Sequence, residues 1–138
     1  MSFLASLAAM LAAGAATPTE RCPQAGMAAA LGAGLDPARL AAAVQTARAH
    51  PLGSRENPVR VCGPTGERAY LARLRCADGN APRVGQRASV GAGPYRTILD
   101  LYPLDCGAAA PGQVELVMDM YHDEPESAAP SGFTITPH

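Results

Sequence analysis

The residues best able to do chemistry in this chain gather at the end of one predicted strand. They are Asp119, His122, Asp123, Glu124 and Glu126, residue types that bind metal ions or act as general acids and bases. A metal or hydrolytic site would need several of them to converge. Because side chains alternate along a strand, Asp119 and His122 are expected on opposite faces, and Pro125 separates the carboxylates. The pattern therefore favours a solvated acidic strand end over a metal or hydrolytic site.

The sequence lacks residues that other catalytic or phosphate-binding arrangements require. The segment Gly91–Pro94 has the glycines of a phosphate-binding loop, but a lysine and a following helix are missing, and the proline has no N–H to donate. The sequence identifies no orienting carboxylate for His50 or His122, and no serine occupies a G-x-S-x-G elbow. We therefore predict no catalytic, metal-binding or cofactor-binding residue, and no cofactor.

All eleven basic residues are arginines, and the net charge is −1. This balance gives no reason to expect nucleic acid or an anionic membrane as a partner. Several arginines meeting on one surface could bind a carboxylate, a phosphate or an acidic partner through paired N–H donors. The favoured interpretation is interspersed surface charge paired with Glu67, Asp78 and Asp100. The arginines concerned are those of the middle third: Arg60, Arg68, Arg73, Arg75, Arg83, Arg87 and Arg96.

Residues 1–16 predict a secretory signal peptide. The apolar run Phe3–Ala13 is too short to span a bilayer, and Ala13-Gly14-Ala15 fits an A-x-A cleavage pattern. An alanine-rich amphipathic helix is the alternative interpretation. Export would place the chain in the periplasm or outside the cell, with no integral membrane segment after cleavage.

Four cysteines follow this segment: Cys22, Cys62, Cys76 and Cys106. An oxidising compartment favours two disulfides. A helix over 66–75 would be about 15 Å long, so Cys62 and Cys76 would lie beyond its opposite ends, too far apart for the roughly 7 Å between bridged Cα atoms. The favoured pairing is Cys76–Cys106 with Cys22–Cys62, and the alternative is 22–76 with 62–106.

The remaining pattern predicts a small α+β fold. An alanine-rich helical segment or linker is expected over 17–52, with a helix starting at Asp36-Pro37, and a single α+β domain over 53–138. In that domain, an amphipathic helix over 66–76 should pack on a small antiparallel sheet whose central hairpin spans 95–121. The expected core residues are Leu71, Leu74, Leu99, Val114, Leu116, Met118 and Met120.

The motifs NPVR, GPTGERAYLARLRC, GPYRTILDLYPLDC and MDMYH occur in that order along the chain. In these it resembles a group of small secreted or periplasmic bacterial proteins with no known activity. The resemblance covers roughly 53–133. It implies export and a compact domain, and it carries over no activity, cofactor or catalytic residue.

Three functional hypotheses follow. The leading one is a non-catalytic secreted or periplasmic protein that binds a ligand or serves as an envelope accessory component. The competing one is a small periplasmic hydrolase or metal-binding protein using His122, which predicts that residue beside two carboxylates in a cleft. A third is an anion-binding module, which needs at least three arginines converging on one concave surface.

Overall fold

A computed structural model describes residues 20–137, and the predicted signal peptide at 1–16 lies outside them. The predicted α+β class is confirmed: helices pack with a curled mixed sheet. The helices are α1 (Pro23–Ala30), α2 (Pro37–Ala47) and α3 (Gly63–Ala72). The strands are β1 (Val59–Arg60), β2 (Leu74–Arg75), β3 (Arg83–Val84), β4 (Ala88–Ala92), β5 (Ile98–Asp105), β6 (Gln113–Asp119) and β7 (Thr134–Ile135).

The start of α2 follows from its sequence. Oδ1 of Asp36 accepts a hydrogen bond from the backbone N–H of Arg39 at 2.9 Å, which caps the helix end, and Pro37 occupies the first helical position. Between α1 and α2, Gly34 has a φ of 83°, and its N–H donates to the carbonyl of Arg96 at 3.0 Å. This turn attaches the two helices to the loop that precedes β5.

Helix α3 is shifted from its expected range of 66–76. It begins at Gly63, with Pro64 in the first turn, and ends at Ala72. The helix stops early because β2 pairs with β7 in a separate two-stranded antiparallel sheet, with Leu74 opposite Ile135. The closing segment of the chain therefore competes with helix formation, a long-range interaction that local periodicity does not reveal.

The predicted hairpin forms the centre of the main sheet, whose strand order is β1-β6-β5-β3 with β4 also paired to β5. Strands β5 and β6 are antiparallel over six residue pairs, from Asp100 opposite Met118 to Asp105 opposite Gln113. Strand β1 pairs with β6 in parallel, with Val59 opposite Met118. The sheet is therefore mixed and not purely antiparallel.

Alternation along β5 and β6 gives the sheet two different faces. One face packs with α3 in the larger core, which includes Leu71, Leu74, Leu116 and Met118. Leu99 was expected in this core, but it lies on the opposite face, in a small cluster with Leu101 and Val117. Additional members of the larger core are Val59, Val61, Tyr70, Cys76, Tyr102, Leu104 and Phe133, with Val114 and Met120 partly buried against it.

Two disulfides join distant parts of the chain. Cys22–Cys62 connects the start of α1 to the start of α3, with 5.5 Å between the Cα atoms. Cys76–Cys106 connects the segment after β2 to the end of β5, with a corresponding distance of 5.8 Å. These are the two pairs that the sequence favours, and they suit an oxidising compartment. Among residues 20–137, every helix is too short or too polar to cross a bilayer.

Candidate functional site

Asp119, the last residue of β6, is completely buried. The hydroxyl of Thr97 donates a hydrogen bond to Oδ2 of Asp119, and the backbone N–H of Tyr121 donates to Oδ1 at 3.2 Å. A buried carboxylate is tolerated only when such donors or a positive charge compensate for the lost water. Asp119 is therefore held in one orientation on the face of the sheet opposite α3.

The imidazole of His122 lies beside this carboxylate, with Nε2 of His122 3.1 Å from Oδ1 of Asp119. The expectation that these two side chains point to opposite faces was wrong. Strand β6 ends at Asp119, and the next residues turn so that the N–H of His122 donates to the carbonyl of Val61 at 3.2 Å. Strand alternation does not apply beyond that turn, which the hydrogen bond from Tyr121 N–H to Asp119 stabilises.

Tyr95 packs against the other side of the imidazole. The two rings meet edge to face, with centroids 5.0 Å apart and an interplanar angle of 81°. Tyr95 is 1% exposed and His122 is 4% exposed. Burial raises the pKa of Tyr95, the charge of Arg60 acts in the opposite direction, and Asp119 raises the pKa further.

Within residues 20–137, neither the Tyr95 hydroxyl nor either nitrogen of His122 has a hydrogen-bond partner. Nε2 of His122 lies 3.1 Å from Oδ1 of Asp119, but this contact does not meet hydrogen-bond geometry. Native proteins leave few buried polar groups unsatisfied, and an unsatisfied one costs about 1–3 kcal/mol. Two such buried groups side by side make this region the candidate functional site.

Both residues border a cavity of about 600 Å³, here called the cleft. Its helical wall comprises Ala25, Ala28, Leu40 and Val44 of α1 and α2, with other residues of the same helices. Its sheet-side wall comprises Arg60, Tyr95, Thr97 and His122. Cys22 also borders the cleft, so the Cys22–Cys62 disulfide fixes the start of the helical wall. A cavity of this size is typical of sites for small molecules.

Three arginines border the cleft: Arg21, Arg48 and Arg60. Arg60 is paired with Glu126 at 3.5 Å, and its side chain is 18% exposed. Of the seven arginines that the sequence groups together, only Arg60 lies here. Arg21 and Arg48 were missed, although the favoured Cys22–Cys62 pairing is a signal that would have brought Arg21 towards Arg60.

The acidic residues after β6 separate into different roles. Oδ1 of Asp123 accepts a hydrogen bond from the backbone N–H of Cys22 at 2.6 Å, which attaches α1 to the sheet. Glu124 lies exposed at the cleft border, and Glu126 pairs with Arg60. His122 therefore contacts one carboxylate and not two. Over residues 20–137, no three His, Cys, Asp or Glu side chains are arranged to hold a metal ion.

A second buried polar group lies on the α3 face of the sheet. Glu67 of α3 is fully buried, and Asp100 and Tyr102 of β5 are near it. Burial is the main cause that raises the pKa of Glu67 to about 8, and the neighbouring Asp100 adds to this effect. Both oxygens of Glu67 lack a partner at hydrogen-bond geometry within the described residues. Because Glu67, Asp100 and Tyr102 do not border the cleft, we interpret them as structural.

Comparison of the chain with protein-family models, curated proteins and solved structures gives no match. The function must therefore be inferred from the geometry of the site. The cleft is the feature that combines a concave surface, buried polar groups without partners and nearby positive charge.

Proposed function

We propose that this protein is an exported, disulfide-braced binding protein without catalytic activity, and that its ligand is a small molecule held in the cleft. The apolar segment at the start of the sequence supports export to the periplasm or beyond. The pairs Cys22–Cys62 and Cys76–Cys106 support an oxidising location. An intact-mass measurement on protein from the native host would test both, through the cleavage position and the number of alkylatable thiols.

The observation that carries the binding proposal is the pair of unsatisfied groups, the Tyr95 hydroxyl and the His122 imidazole, at the wall of a 600 Å³ cavity. A ligand with hydrogen-bonding groups would supply the missing partners, and the enclosing walls would exclude competing water. The edge-to-face contact with Tyr95 and nearly complete burial hold the imidazole of His122 in position before any ligand arrives, which reduces the entropy lost on binding.

The experiment is a fragment titration followed by backbone amide NMR. A library of neutral, anionic and cationic fragments is added to the isotopically labelled mature protein. We expect the largest shift changes at Tyr95, Thr97 and His122 and along α1 and α2. The Tyr95→Phe variant should weaken binding roughly fivefold, the value of one hydrogen bond.

Tyr70→Phe is the matched control, because the Tyr70 hydroxyl donates to the carbonyl of Ala128 at 2.8 Å and does not border the cleft. It should leave fragment affinity unchanged. A library that shifts no cleft resonance, or that shifts resonances elsewhere only, would show the binding proposal to be wrong.

A second candidate function rests on the 3.1 Å contact between Asp119 and His122. A carboxylate beside an imidazole is the arrangement that orients a general base. His122 would remove a proton from water as the water attacks an ester or phosphodiester, and the leaving group would take up the proton. Thr97 donates to Asp119 and not to His122, so the hydroxyl is not arranged as a nucleophile.

This candidate is tested with p-nitrophenyl acetate and bis(p-nitrophenyl) phosphate. Hydrolysis that falls at least 100-fold in both His122→Gln and Asp119→Asn, while Tyr95→Phe retains activity, would favour the hydrolase. Hydrolysis rates equal to those measured without protein would contradict the hydrolase function and favour the binding function.

A further inference from the structure

The two walls of the cleft differ in chemistry. The side formed by α1 and α2 presents small and branched apolar side chains: Ala25 and Ala28 from α1, and Leu40 and Val44 from α2. The opposite side comprises Arg60, Tyr95 and His122, whose side chains carry a guanidinium, a phenol and an imidazole. A ligand that contacts both walls must therefore have an apolar part and a polar part.

The polar wall is arranged to receive negative charge. Arg60 and Tyr95 border the same cleft, and the Arg60 guanidinium has five N–H donors, more than one 3.5 Å contact with Glu126 can occupy. Arg21 and Arg48 add positive charge at the border. Arginine and a phenol are donors that match the oxygens of a carboxylate or phosphate.

The acidic groups nearby are largely engaged within the protein. Oδ1 of Asp123 accepts the N–H of Cys22, and Asp119 is covered by Thr97, Tyr121 and His122. Glu124 remains exposed at the border, outside the group formed by Arg60, Tyr95 and His122. The three arginines at the cleft supply N–H donors that an anion can use and a cation cannot, which makes a cation the least suitable occupant.

We propose that the ligand is an amphipathic anion, with an apolar body against α1 and α2 and a carboxylate or phosphate head at Arg60, Tyr95 and His122. This inference rests on the proposed binding function and names its ligand class. The head accepts hydrogen bonds from the Tyr95 hydroxyl and the Arg60 guanidinium. The body covers the apolar side chains of Leu40 and Val44.

The test is a charge series of similar shape, measured by isothermal titration calorimetry on the mature protein. Benzoate, benzamide and benzamidine share a phenyl ring and differ in the charge of the head group, and phenyl phosphate extends the series to a second anion. We expect benzoate or phenyl phosphate to bind at least tenfold more tightly than benzamide, and benzamidine to bind more weakly still. The stronger of the two anions distinguishes a carboxylate ligand from a phosphate ligand.

Two arginine variants distinguish the effect of the charge at the cleft from the effect of the net charge of the protein. Arg60→Gln should reduce the affinity for the anions at least fivefold and leave that for benzamide unchanged. Arg68→Gln, which removes an exposed arginine of α3, should change neither. If neither benzoate nor phenyl phosphate binds more tightly than benzamide, or if benzamidine binds more tightly than both anions, the anion assignment is overturned.

The fragment titration keeps this inference separate from the function on which it rests. If library fragments shift the cleft resonances while no anion of the series binds, the ligand class is wrong and the binding function stands. If neither the library nor the series binds, both proposals fail.

Discussion

The imidazole of His122 lies 3.1 Å from the carboxylate of Asp119, on the opposite side of the sheet from α3. The contact exists because β6 ends at Asp119 and the following turn redirects the chain. The same turn leaves His122 between Asp119 and the ring of Tyr95. This arrangement makes the stability of the site depend on one buried carboxylate and its donors.

Removing the Thr97 donor should therefore destabilise the protein. Thr97→Val keeps the shape of the side chain but leaves Oδ2 of Asp119 without its hydroxyl partner, and we expect a loss of about 1–3 kcal/mol in the free energy of unfolding. Urea denaturation measures this loss. Thr97→Ser, which retains the hydroxyl, is the matched control and should cost less. Equal losses in the two variants would show that the hydroxyl does not support Asp119.

The larger core should not tolerate a charge at Leu74. This side chain is fully buried at the start of β2, and Leu74→Asp should unfold the protein because an unpaired buried charge is poorly tolerated. Leu31→Asp places the same substitution at a side chain that is 81% exposed and should leave the melting temperature nearly unchanged. Circular dichroism during heating measures both. A folded Leu74→Asp variant with the wild-type melting temperature would contradict this description of the core.

Glu67 should make stability depend on pH. Its pKa is raised from 4.5 to about 8 in the folded state, so the folded protein retains a proton that the unfolded chain loses. The associated stability is fully present below pH 4.5 and is lost as the pH rises through about 8. Asp100 and the burial of the site favour the protonated form, whereas Arg87 and the Tyr102 hydroxyl favour the ionised form.

The measurement for Glu67 is the free energy of unfolding from urea titrations across that pH range. Glu67→Gln cannot ionise, so its stability relative to wild type should increase with pH by roughly 1–3 kcal/mol over the range. Glu115→Gln, at an exposed position of β6, should follow the wild-type curve. A constant difference between Glu67→Gln and wild type at every pH would contradict the assignment.

The two disulfides should both stabilise the fold but differ in their effect on ligand binding. Each closes a loop, with sequence separations of 40 and 30 residues, and chain-entropy arguments give about 3–4 kcal/mol for loops of these lengths. Replacing Cys22 and Cys62 by serine should also release α1 from the cleft and weaken fragment binding.

Replacing Cys76 and Cys106 by serine should reduce stability without a comparable effect on binding in the fraction that remains folded. Binding is measured by calorimetry well below each melting temperature. Equal changes in affinity for the two double variants would show that the Cys22–Cys62 disulfide has no special role at the cleft.

Much of the fold could be predicted because its determinants are local. Alternating residues at 113–119 specify β6, the Asp36-Pro37 pair specifies the start of α2, and the inferred length of α3 removes one cysteine pairing. The parallel pairing of β1 with β6 and the early end of α3 depend on contacts between distant segments. No local pattern contains that information.

The site was harder to predict for the same reason. No local sequence pattern marks its polar residues as members of a site. Tyr95 and Thr97 precede a strand, and His122 follows one. Alternation separates Asp119 from His122 only if the strand continues, and a turn at the strand end brings them together instead. The apolar wall comes from α1 and α2, which the sequence assigns to a separate segment over 17–52.

The most direct test of the cleft as the binding site is histidine NMR during titration with phenyl phosphate. In protein labelled at the histidine Cε1 carbon, His122 borders the cleft and His50 lies outside it, beside a different cavity. The chain has three histidines, and the variants His122→Gln and His50→Gln assign these two signals. We predict that the His122 signal shifts in a saturable manner while the His50 signal stays in place. A stationary His122 signal together with a shifting His50 signal, or with binding detected elsewhere, would contradict the account.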